Sequence, residues 1–106
     1  SLPMVVMSSE LFQELTIDDL RLGHEGNRDA HRLTWMDSLA DLQERQEKEG
    51  TKVVMFSYAK SHSLRALALP TAAQLAGMQS ALKEVILQQS WLDVPIFVWL
   101  DVLSIP

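Results

Sequence analysis

At 106 residues the chain has length for one domain but not for two cores, and 47% apolar with 22% charged residues excludes the composition of a disordered segment. A net charge of -5, with nine Lys and Arg scattered along the chain, opposes binding to a phosphate backbone, which takes its affinity from clustered positive charge. Cysteine is absent, which excludes a disulfide framework, a thiolate nucleophile and a cysteine zinc site, and is compatible with a reducing, cytoplasmic location.

The first predicted element is a short buried strand in PMVVM, Pro3 to Met7, followed in SSELFQEL by hydroxyl caps and a short amphipathic helix. TIDDLRLGHEGN, Thr16 to Asn27, carries two glycines and mixed charge and reads as a loop with about one helical turn. From Arg28 to Gly50 the spacing of Leu33, Met36, Leu39 or Ala40, and Leu42 or Gln43 predicts the longest helix, capped by Asn27 or Asp29 and stopped by Gly50. KVVMFSY, Lys52 to Tyr58, is a near-continuous apolar run, the pattern of a central parallel strand covered on both faces.

Beyond the ALALP loop, Thr71 and Gln74 have the spacing of a capping box. The helix that starts there presents Leu75, Met78, Leu82, Val85 and Ile86 on one face, and its roughly 18 residues reach far enough to return along a strand. IFVWLD, Ile96 to Asp101, is the next strand. Strand, long helix and strand make a βαβ unit, whose strands run parallel. The fold class expected is therefore α/β, a parallel sheet with helices on both faces in a flavodoxin-like arrangement. Residues 1–50 form a strand-helix-helix extension and residues 52–106 the βαβ unit.

Ligands of open parallel sheets gather beyond the carboxyl ends of the strands, so Ser57, Tyr58 and Asp101 share one rim and are the candidate ligand-binding residues. Asp101 also suits a capping role at a strand end. Ser57, His62 and Asp101 contain the residue types of a hydrolytic triad. The GxSxG elbow is missing and His62 lies in a loop, so a strand-end serine and a solvated histidine are the favoured reading. His24, Glu25, Asp29 and His31 could collect a metal, but the spacing of His24 and His31 is not that of a metal motif, and solvated side chains are the favoured reading. Neither phosphate-cradling glycine motif is present. Trp35, on the predicted helix, and Trp99, in the last strand, read as packing residues, which leaves Trp91 as the exposed aromatic.

VVMFSY, a helix and then VWLDVLSIP resemble the opening of TIR-like domains, and more closely of the related HET-like group. Trp99, Leu100, Asp101, Ser104, Ile105 and Pro106 fall on the second motif of that group. Lys60 and ALPTAAQ stand where those relatives have a tryptophan and an HPDP-like turn. The resemblance covers residues 52–106 and implies the N-terminal part of such a domain, an incomplete sheet that continues past Pro106. It implies an intracellular signalling or interaction module that works by domain association, with self-association expected. The alternative is an NAD-cleaving or other nucleotide-hydrolysing enzyme whose catalytic glutamate lies beyond this chain, so no catalysis is expected of these residues alone. No cofactor is evident, and NAD enters only under that alternative. No apolar run approaches the roughly 20 residues of a membrane span. Neither a membrane nor a nucleic-acid partner is expected.

Overall fold

A computed structural model describes residues 4–36, 39–57 and 69–104. In chain order these form β1 (Met4–Ser8), α1 (Ser9–Glu14), α2 (Ile17–Arg21), α3 (Gly23–Asp29), β2 (Thr34–Met36), α4 (Leu39–Glu49), β3 (Lys52–Phe56), α5 (Ala72–Gln88), β4 (Ile96–Leu100) and α6 (Asp101–Ser104). The strands make one sheet in the order β2-β1-β4-β3.

The expected βαβ unit is present. β3 and β4 are parallel, in register from Lys52 opposite Ile96 to Phe56 opposite Leu100, and the 17-residue α5 connects them. Thr71 caps α5 by accepting the Gln74 amide at 3.1 Å, while the Gln74 side chain accepts the Thr71 amide at 2.8 Å. Leu75 and Leu82 are buried and Met78 and Ile86 pack beside them.

The sheet as a whole is mixed, which corrects the expectation of a parallel sheet. β1 runs antiparallel to β4, with Met7 opposite Val98, and antiparallel to β2, with Val5 opposite Trp35. The parallel rule binds strands joined by a crossover helix. β1 and β4 have no such link, and β1 and β2 are joined by three short helices instead of one long one.

The first half of the predicted long helix is also corrected. Thr34 to Met36 is a strand, because a β-branched and an aromatic residue meet the free side of β1, and that tertiary pairing outweighs helical spacing. α4 is described from Leu39, and Gly50 ends it as expected, at φ +69°. Conversely, the predicted loop at residues 16–27 is mostly helical. Thr16 and Asp19 exchange both bonds of a capping box, at 3.0 and 3.2 Å.

β4, and not β3, is an interior strand, as β1 is, and the two faces of β4 feed two cores. Ile96, Val98 and Leu100 pack with Met7, Phe12, Leu15, Leu20, Leu75, Leu82, Val102 and Leu103. On the opposite face Phe97 and Trp99 pack with Val6, Met36 and Leu42. Helices thus cover both sides of the sheet. β3 has a strand on one side only among the described residues, and its Met55 is 61% exposed.

Side chains tie the helices to this frame. Gln79 on α5 donates from Nε2 to the carbonyls of Phe12 and Leu15, both at 2.9 Å, and so supplies partners that the end of α1 lacks. Fully buried Asn27 donates to the carbonyls of Gly23 at 2.7 Å and Asp19 at 2.9 Å, and accepts from Arg32 at 3.2 Å. Arg32 closes the knot with a 3.1 Å ion pair to Asp19.

Two predictions follow from this packing. Leu82→Ala should destabilise the fold by about 2–5 kcal/mol in a denaturant titration, as deletion of a buried leucine does; a loss under about 0.5 kcal/mol would place Leu82 on the surface. The second concerns acid. The Thr16 amide, the Thr16 hydroxyl and the Arg32 charge together hold the Asp19 carboxyl below its ordinary value. A carboxyl depressed in the folded state contributes stability above its unfolded pKa, near 3.9, and loses that contribution as pH falls through the folded value. Asp19→Asn should therefore lower stability at pH 7 and flatten its decline below about pH 4, measured by urea titration at stepped pH.

Candidate functional site

The parallel register of β3 and β4 dictates what stands at their carboxyl ends. Because Phe56 lies opposite Leu100, the next residues of the two strands, Ser57 and Asp101, are also brought side by side. The Ser57 hydroxyl donates to Asp101 Oδ2 at 3.3 Å. The other carboxylate oxygen accepts the Val102 amide at 2.8 Å, at the start of α6. Asp101 is only 5% exposed whereas Ser57 faces solvent, so the hydroxyl is the presented group and the carboxylate orients it from behind. Asp101 thus bonds the amide that follows it and also stands on the rim. Tyr58, the third predicted rim residue, lies outside the described residues.

Beside this pair, Phe56, Ser57, Gln74, Gly77, Met78 and Ala81 bound a cleft of about 370 Å³ between the end of β3 and the first half of α5. Its walls are mostly hydrocarbon. The polar groups at its edge are the Ser57 hydroxyl and the Gln74 amide, whose oxygen is already taken by the Thr71 amide. Such a surface suits a flat apolar group that carries a hydroxyl or carbonyl. The α5 contribution was missed in the sequence, although Gln74, Gly77 and Ala81 follow one another at helical spacing and leave room where the strand ends.

Among the described residues no imidazole stands at this pair. In a triad an imidazole stands between the serine and the acid, and here the serine bonds the acid directly. His62 lies outside the described residues. His24 is committed elsewhere: its Nδ1 is 2.7 Å from the Leu103 carbonyl, and since a carbonyl can only accept, Nδ1 carries the proton. Its ring also meets Trp35 edge-on at 5.7 Å.

The other residues weighed for a metal are likewise drawn into local contacts. Glu25 and Asp29 lie 3.7 and 3.4 Å from Arg28, and His31 occupies a turn at φ +60°. No group of three or more candidate ligands converges among the described residues. The tryptophans differ from expectation. Trp35 is on a strand and 41% exposed, whereas Trp91 is half-buried against the main core with Lys52 Nζ 5.6 Å from its ring centre. Trp99 packs in the second core, as read from the sequence.

Compared with family models, curated proteins and solved structures, the chain matches none. No helix among the described residues is long and apolar enough to cross a membrane.

Asp101→Ala removes a buried acceptor from two donors and should cost about 1–3 kcal/mol. Ser57→Ala removes one exposed donor and should cost less than about 1 kcal/mol. Equal losses in parallel thermal melts would contradict the assignment of Asp101 as the supporting group and Ser57 as the presented one.

Proposed function

We propose that this chain is an intracellular signalling or interaction module of TIR-like or HET-like type that works by domain association, with the outer edge of β3 as a contact. The observation that carries this reading is the position of β3 at the border of the described sheet. The Lys52 amide donates to the Pro95 carbonyl at 2.9 Å, which turns the backbone of Lys52, Val54 and Phe56 toward β4. By alternation, the amides and carbonyls of Val53 and Met55 point the other way. An edge of this kind, with 61% of Met55 exposed and its one charge at Lys52, is a template for another strand.

Sedimentation velocity across micromolar concentrations tests it. The native chain should gain mass with concentration. Met55→Pro removes an outward amide while leaving the bonds to β4, and should lower that mass; Met55→Lys should act in the same direction. Native and Met55→Pro isotherms that coincide would contradict the β3 contact.

The Ser57–Asp101 pair and its cleft favour a second reading, nucleotide binding or NAD cleavage at the strand rim, with the catalytic glutamate beyond this chain. Titration of the chain with NAD, followed by calorimetry, separates the two readings. Association without NAD binding supports the interaction module. NAD binding weakened by Ser57→Ala supports the nucleotide site.

A further inference from the structure

The two most exposed large apolar side chains among the described residues are Leu92, at 71%, and Leu87, at 64%. Both border the same groove, a space of about 310 Å³ on the side of α5 that faces α1. Ile86 lines it from α5, and Glu10 and Gln13 border it from α1, opposite Lys83. The helices run antiparallel, since Gln13 bonds the Gln79 carbonyl at 3.0 Å while Glu10 shares the groove with Leu87. Exposed leucines gathered on one groove mark a contact surface more than a scattered apolar surface does.

The charges specify what kind of partner fits. Glu10 stands on one wall and Lys83 on the other, and neither forms an ion pair among the described residues; Glu10 accepts the Ser9 hydroxyl at 3.3 Å. A surface with acid on one wall and base on the other is complementary to itself. Rotation by a half-turn about an axis along the groove lays α1 of each copy over α5 of the other. Glu10 of each chain then faces Lys83 of its mate, and Leu87 and Leu92 of each chain come over the α1 wall of its mate. This is the isologous arrangement, in which one patch supplies both halves of the contact. The leucines would supply the affinity and the charge pairs the register.

We propose that the α1–α5 groove is a second self-association surface, occupied by the same groove of another copy. It rests on the reading of the chain as an association module and uses a surface separate from the β3 edge. The test is made in the Met55→Pro chain, where the edge contact is removed, by sedimentation equilibrium. That chain should still dimerise. Leu87→Asp should weaken dimerisation at least about tenfold, and Glu10→Lys or Lys83→Glu alone by several-fold. Glu10→Lys combined with Lys83→Glu should restore it to within about twofold, a recovery that a general loss of folding cannot give. Failure of the double reversal to restore binding, or dimerisation unchanged by Leu87→Asp, overturns the groove contact and leaves the β3 reading standing. A native chain that stays monomeric throughout overturns both.

Discussion

The structure depends on β4, which is flanked by a strand on each edge, buried on one face and half-buried on the other. A strand with a neighbour on each side has its amides and carbonyls paired, and one with apolar residues at every position needs cover on each face. Ile96, Val98 and Leu100 fill one core and Phe97 and Trp99 the other, while β1 and β3 flank the backbone. The rim follows from this constraint. The register that satisfies β4 also brings its first polar residue, Asp101, beside Ser57 of β3.

Around that strand, polar side chains settle the helices at points where hydrocarbon contact alone would let them slide. Gln79 fixes the end of α1 against α5, and Asn27 fixes α3 against α2. His24 joins α3 to the Leu103 carbonyl of α6, the short helix that begins with Asp101. The exposed Ser57 hydroxyl is therefore linked through Asp101 to α6, and through His24 to elements far away in sequence. Stacking of Phe12 on Phe56, with ring centres 5.5 Å apart, adds a contact from α1 to the end of β3.

The residues whose structure is set locally were legible. The Thr71–Gln74 capping box, the apolar face of α5, the stop at Gly50 and the strand in IFVWL each carry their own signal. The Ser57–Asp101 juxtaposition followed from the parallel rule for βαβ units, which needs only the two strands and the helix between them. Errors arose where a distant partner decides. Thr34 to Met36 satisfies a helical period and becomes a strand because β1 offers an edge. Thr16–Asp19 was readable as a cap, since aspartate at the third helical position does the work of glutamate, but the neighbouring glycines favoured a loop. Val53 and Val54 look central by composition, yet strand order depends on β1, whose direction no local pattern encodes. His24 resembles a ligand in sequence and is a fastener in space, because its acceptor lies 79 residues away.

β3, the oriented hydroxyl and the apolar groove all sit on a frame held by β4, so native-state hydrogen exchange resolved by residue tests the account most directly. The amides of Phe97, Val98 and Trp99 should exchange slowest and only through global unfolding, with β3 amides less protected because β3 has one described neighbour. Exchange of the β4 amides through local opening, faster than those of α5, would contradict a fold organised around that strand.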